Sequence, residues 1–372
     1  MKRIAMSRID DEARKPGFGG RRISCMVFCL LLLTPPLCPG QAPDAPDTRA
    51  EVRDGRTDPR WSPLIDRLAE DGMDKERMTQ LFSDLDLPWS PVFMAATLQE
   101  QYGTRLGPEA RVKALPDKGP PLPHGYMPPA TGGFEGAKAL LTERAPLLAE
   151  VRTRYGVPPS LIAAVLLLES DMGHELGEGL ALHALASLAG TAALEDALQG
   201  IEDYEEPRPA LRKDMEKLVC EQAAWAYQEL LALIRYCETS GIDMLRLPGS
   251  VHGAVGLCRF TPGNISLYGV DSDNKGIVDL FSLPDAAYSI GNFLKQQGFR
   301  ETLNTKKQLE VLRRYSRSDS YAALALGLSY QLIGRQPPPE LRIFAAAGGR
   351  KTWWPKMPPA YRLPPLGSYT FK

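Results

Sequence analysis

The residue best placed to do chemistry in this 372-residue chain is Glu169, which follows eight consecutive apolar residues, Leu161 to Leu168. A carboxyl at the end of so dry a run resists ionisation, because burial disfavours its charged form. A carboxyl that stays protonated near neutral pH suits a general acid. The same pattern also fits a helix that reaches water at Glu169, and the residues alone leave both readings open. Asp171, two positions on, lies off its helix face, so no helical carboxylate pair is formed. A second candidate is Asp271 to Ser282, DSDNKGIVDLFS, where Asp271, Asp273, Gly276 and Asp279 fall at positions 1, 3, 6 and 9 of a calcium-type loop. Lys275 and Ser282 stand where two oxygen ligands are needed, so the loop is expected to hold no metal, with the Lys275 ammonium partly neutralising the aspartates. Gly249 to Pro262, GSVHGAVGLCRFTP, is a glycine-dense loop whose backbone can approach a ligand closely. It is neither a nucleophile elbow around Ser250 nor a phosphate cradle. Tyr315 and Tyr321 are a pair of aromatics that would suit the C–H faces of sugars, although core tyrosines fit equally well. The four histidines, at 124, 174, 183 and 252, show no ligand spacing, and no cofactor is expected.

An element must hold Glu169. The stretch YGVPPSLIAAVLLLESDMG, Tyr155 to Gly173, supplies a turn at Gly156 and a helix start at Pro158 and Pro159, where first-turn N–H groups have no partner to lose. Its apolar run has no solvent face, which predicts a buried helix. Upstream, 61–82 reads as two amphipathic helices broken at Gly72, with Leu64, Leu68, Met78, Leu81 and Phe82 inward. Residues 103–135 read as an irregular crossing, and 136–155 as helical, with Leu140, Leu147, Leu148 and Val151 inward. Downstream, 180–188 reads as a second core helix, 195–206 as an acidic exposed connection, and 208–239 as a long helix.

A net charge of −1 and 44% hydrophobic residues describe an ordinary soluble chain, large enough for one large or two small domains. They argue against a basic module for nucleic acid or an anionic membrane surface. Residues 1–42 read as a signal peptide, because Arg21 and Arg22 precede an apolar run, Ile23 to Leu33, that is too short for a comfortable membrane span. Export to the periplasm is therefore expected, either free or membrane-associated. Residues 43–60 read as a flexible linker and 335–372 as a Pro-rich extension. Cys237 and Cys258 could bridge, with Cys220 buried in a helix, but spacing does not choose a pairing.

Four blocks, in order, resemble the membrane-bound lytic transglycosylase B family: YGVPPSLIAAVLLLESDMG; GSVHGAVG with Phe260 and Pro262; YGVDSDNKGIVDLFSLPDAAYSIGNFLKQQGF; and RRYSRSDSYAALALGLSY. The resemblance implies a mainly α fold, with a lysozyme-like catalytic core over 136–334 and N-terminal helices, 61–135, packed on it. It implies cleavage of peptidoglycan between N-acetylmuramic acid and N-acetylglucosamine. Most glycosidases use two carboxylates; here Glu169 alone would act as acid and then base while the muramoyl 6-hydroxyl closes a 1,6-anhydro ring. Ser250 would face the glutamate, Arg259 and Phe260 would border the sugar, and Tyr315 and Tyr321 would line the cleft. Two positions depart from the family: Arg259 stands where glutamine is usual, and Gly263 where serine is usual. Arg259 would suit a peptide-stem carboxylate. The chain is also longer between Leu188 and Gly249 than its relatives, in a region that could reshape one groove wall. Peptidoglycan strands are the implied partner, other cell-wall enzymes are candidate partners, and a monomer is expected. A hydrolytic muramidase and a non-catalytic peptidoglycan-binding scaffold remain as alternatives.

Overall fold

Apolar runs at helical spacing dominate the chain, and helices form where they occur. In the computed structural model the described residues are 57–114, 132–339 and 341. The leader 1–42, residues 43–56 of the linker, and the chain from 342 onward lie outside them, as does His124. α1 (Ser62–Glu70) and α2 (Lys75–Leu85) form where two amphipathic helices are expected, and the Asp74 carboxylate caps α2 by accepting the Arg77 N–H at 2.7 Å. Leu64, Leu68, Met78 and Phe82 are buried with Trp61. Order extends into the expected linker: Asp58 accepts the Trp89 N–H at 2.9 Å and so ties the start of the fold to the chain beyond α2.

α3 (Val92–Tyr102) is buried along Val92, Phe93, Met94 and Leu98. β1 (Arg111–Val112) follows, inside the stretch expected to be irregular. α4 (Gly133–Glu143) also starts within that stretch, and α5 (Ala145–Tyr155) follows after a break at Arg144. Pro146 explains the break, because it lacks the N–H that a continuous helix would need and instead sits in the first turn of a new one. Gly156, at φ 70°, ends α5.

α6 (Pro159–Ser170) is the predicted buried helix: every residue from Leu161 to Leu166 is at most 1% exposed. Burying each large aliphatic side chain is worth about 1.5–3 kcal/mol, so α6 anchors the core. It packs against α4, α5, α11 (Leu283–Gln296) and α13 (Asp319–Leu332). β2 (Gly179–Leu180) leads into α7 (Ala181–Ala189), the second core helix, which packs along α9 (Pro209–Ser240). Between them, 195–206 is more than an exposed connection. α8 (Leu194–Leu198) buries Leu194, Ala197 and Leu198, and β3 (Ile201–Glu202) pairs antiparallel with β1, Arg111 opposite Glu202. Its paired, exposed acidic residues are divided between two cations: Glu195 and Glu206 pair with Arg212 of α9, which also holds Glu216 of the same helix, and Glu202 and Asp203 pair with Arg111.

β4 (Pro248–Gly249) pairs with β2, and α10 (Pro262–Tyr268) and α12 (Thr305–Ser316) complete the fold. Cys237 and Cys258 are separate, buried free thiols, so the bridge that their sequence positions allowed is not made. Cys220 is half-buried on α9. No helix among the described residues is long and apolar enough to cross a membrane.

Candidate active site around Glu169

Glu169 lies in the last turn of α6. The helix stops after Ser170 because Asp171 turns left-handed, at φ 46°, and its carboxylate accepts the Gly133 N–H at 2.6 Å. That bond fixes the end of α6 to the start of α4. Glu169 is only partly open to solvent, and burial pushes its carboxyl up to about 7; Tyr321 and then Arg259 act against that rise. The Tyr321 hydroxyl approaches this carboxyl from α13, yet it is buried with no partner within hydrogen-bonding distance.

The two tyrosines are brought together by the turn between α12 and α13. Their rings stack with centroids 5.9 Å apart and planes 9° from parallel. The Tyr315 hydroxyl donates to the Cys258 carbonyl at 2.7 Å, so this ring also holds the 249–262 loop. Burial, with Glu169 among the neighbouring negative groups, pushes both phenols well above their ordinary value and keeps them neutral donors. Phe260 is 1% exposed and packs 5.8 Å from Tyr315, which makes it a support beneath the site rather than an open sugar face. The buried Ser250 hydroxyl accepts the N–H groups of His252 at 3.2 Å and Ala254 at 3.1 Å, which folds the loop on itself. Among the described residues no hydrogen bond joins Ser250 to Glu169.

Arg259 ends a tight turn closed by paired backbone bonds between Val255 and Phe260, at 2.9 and 3.1 Å, and its φ is 46°. Its guanidinium reaches Glu178 Oε1 at 3.4 Å and the Glu175 carbonyl at 3.5 Å. Both charged side chains are nearly buried, 13% and 7% exposed. Sequence reasoning missed Glu178, for it lies 81 residues away from Arg259 with no motif to link them.

The 271–282 loop is closed by its own donors. Asp271 accepts the N–H groups of Lys275 and Gly276, at 3.1 and 2.6 Å, and the Lys275 ammonium lies 2.8 Å from Asp273. Asp279 accepts the Phe281 N–H at 2.9 Å. Asp285, 3% exposed and not singled out from sequence, accepts from Ser272 N–H and hydroxyl and from Asp279 N–H at 2.9, 2.6 and 2.8 Å. With a cation already on Asp273 and N–H groups on Asp271, this donor set does not fit a calcium ion. No group of three or more His, Cys, Asp or Glu among the described residues is arranged to hold a metal.

Residues 126–324 match the family model described as "Transglycosylase SLT domain", more than half of the 372 residues. The chain belongs to that family. Its sequence is 28% identical over 145 residues to membrane-bound lytic murein transglycosylase B of Escherichia coli K12, a match that covers 39% of this chain and 33% of that relative. The matched stretch thus spans about a third of the curated relative's length. Among solved structures, soluble lytic transglycosylase SltB1 of Pseudomonas aeruginosa aligns with a TM-score of 0.52 at 19% identity, over 74% of this chain and 98% of that one. Escherichia coli Slt35, solved with calcium, gives the same score at 16% identity, over 74% and 93%. These likenesses bear out the lysozyme-like, mainly α fold and the family resemblance of the four sequence blocks.

Proposed function

We propose that this transglycosylase-family chain is a lytic transglycosylase acting on peptidoglycan, with Glu169 as its acid and base. The observation that carries this reading is the Glu169 carboxyl, pushed to about 7 by burial beside the unpartnered Tyr321 hydroxyl. A carboxyl in that state is protonated at the start of the reaction and gives up its proton without a large penalty. It protonates the oxygen between N-acetylmuramic acid and N-acetylglucosamine, and the C1–O bond breaks as positive charge develops at C1. The muramoyl 6-hydroxyl then attacks C1 and passes its proton to the Glu169 carboxylate. The substrate supplies its own nucleophile, so the 1,6-anhydro ring closes without a second carboxylate. Tyr321 is a donor to the substrate or to Glu169, Tyr315 and Phe260 support the wall, and Ser250 shapes the loop on the other side. A related fold, SltB3 of Pseudomonas aeruginosa, has been solved with NAG-anhNAM-pentapeptide, an anhydro sugar of the expected kind. Action on this substrate places the protein in the periplasm, which is where the expected 1–42 leader would send it.

Mass spectrometry of soluble products from purified sacculi tests the reading. The wild-type protein should release muropeptides that end in 1,6-anhydromuramic acid. Glu169→Gln should fold normally and lose roughly 10²–10⁴-fold in rate. Reducing ends would make the protein a hydrolase, and glycan binding without release would make it a scaffold.

A further inference from the structure

Arg259, the cation that the sequence offers to a stem-peptide carboxylate, is already engaged inside the chain, where Glu178 meets its guanidinium at 3.4 Å. Three other arginines stand exposed. Arg313, Arg314 and Arg317, with Glu310 and Asp319, line a cavity of about 670 Å³ at the C-terminal end of α12. The helix dipole favours cations in that last turn. It gives no reason for Arg317, which ends the helix in a left-handed conformation, at φ 56°, where glycine or asparagine is favoured. Arg313 and Arg317 are also four positions apart, and like charges at that spacing repel on a helix surface. Local stability therefore does not account for the third arginine.

The partners present leave one guanidinium over. Arg313 reaches Asp319 at 3.4 Å, and Arg314 donates to the Gln297 carbonyl at 3.2 Å. Arg317 donates its backbone N–H to the Arg313 carbonyl at 2.7 Å, but its guanidinium has no hydrogen bond or ion pair among the described residues. Glu229 of α9 feels that charge, yet its carboxylate is already committed to the Gly263 N–H at 2.6 Å. The cavity also adjoins the site. Arg317 lies in the turn that brings Tyr315 and Tyr321 together, with their rings 5.9 Å apart. The pair between Arg313 and Asp319 spans that turn, and the Ser318 hydroxyl accepts the Tyr321 N–H within it at 3.2 Å. Resting on the reading of this protein as a peptidoglycan-cleaving enzyme, we propose that the cavity is a subsite for a carboxylate of the acidic peptide stem, with Arg317 as its main contact and Arg313 beside it. A guanidinium presents a planar fork of donors that matches a carboxylate. The stem is bonded to the muramoyl sugar on which Glu169 acts, so it arrives with that sugar on the tyrosine side of the site.

Soluble glycan strands with intact stems, and the same strands after amidation of their carboxylates, test the subsite. Binding is measured on the full chain carrying Glu169→Gln, so that no turnover intervenes. Amidation should weaken binding about tenfold, as the loss of one charge-assisted contact implies. Arg317→Gln should weaken binding of intact strands by a similar factor and leave amidated strands unaffected, and Arg317→Lys should recover part of the loss. Glu310→Gln removes a competing carboxylate from the cavity and should tighten binding of intact strands, which a merely structural role for α12 would not do. Equal affinity for intact and amidated strands, or an equal loss on both in Arg317→Gln, would overturn the proposal. Failure of the catalytic reading would show separately, as wild-type protein that releases no lytic products from sacculi, and the binding comparison would still decide the subsite.

Discussion

The Glu229 carboxylate lies where a side chain at Gly263 would begin, so any such side chain would have to displace it. A Cβ built at Gly263 would lie 2.9 Å from Glu229 Oε1, and the same carboxylate accepts the Gly263 N–H at 2.6 Å. Glu229 belongs to α9, and Gly263 sits in the first turn of α10, so the carboxylate takes up an N–H that the helix itself cannot satisfy. This close approach is a structural reason for glycine at 263, where the resembling family has serine.

Gly263→Ser should therefore cost about 1–3 kcal/mol through crowding against Glu229. Glu229→Ala alone should also destabilise, by about 1 kcal/mol, since it leaves the Gly263 N–H without its acceptor. Combining them should recover much of the loss, because the introduced hydroxyl gains both space and a role. Urea denaturation of the four proteins checks this, and simple additivity would reject the coupling.

The raised Glu169 carboxyl makes stability depend on pH. An ordinary glutamate titrates near 4.5 and Glu169 at about 7. The unfolded chain releases the proton first, so stability falls as pH rises from the lower value to the higher, by up to about 3 kcal/mol, and then levels off. Glu169→Gln carries no such proton. It should match the wild type near pH ~4 and exceed it near pH ~8 in chemical denaturation. Equal stability at both values would mean that the carboxyl is not held in a dry site.

His183 gives the opposite slope. Its ring nitrogen Nε2 lies 2.8 Å from the Pro88 carbonyl, and burial pushes its pKa down from 6.5 to about 4. The unfolded chain takes up a proton first on acidification. The neutral ring's contribution is thus complete above 6.5 and is lost as pH falls toward 4, by about 3 kcal/mol. Proton–nitrogen NMR of the imidazoles should show His183 neutral well below pH ~6.5, and a midpoint at that ordinary value would refute its burial.

The free thiols should be inert in the native protein. Burial raises the Cys237 thiol to about 12 and pushes Cys258 up as well, and only a thiolate reacts quickly. Mass spectrometry after thiol labelling should find these two residues modified only once the chain is denatured.

Much of this protein was legible in the sequence, for a local reason. The runs that became α6, α7 and α9 carry their apolar residues within a few positions, and α6 and α9 also carry proline starts, so local pattern locates them. Glu169 was legible too, as a carboxyl at the end of a dry run. α3 was not, because Val92 to Tyr102 is buried on several faces and shows no polar stripe. β1 and β3 are each two residues long, and only their pairing across the chain makes them strands. The deciding features of the site are likewise non-local: the Tyr315 hydroxyl on the Cys258 carbonyl, Arg259 against Glu178, and Glu229 in the space beside Gly263 join residues 57, 81 and 34 positions apart. Helix spacing records which side of a segment faces inward. What it meets there depends on how the helices pack, and the tertiary structure alone decides that.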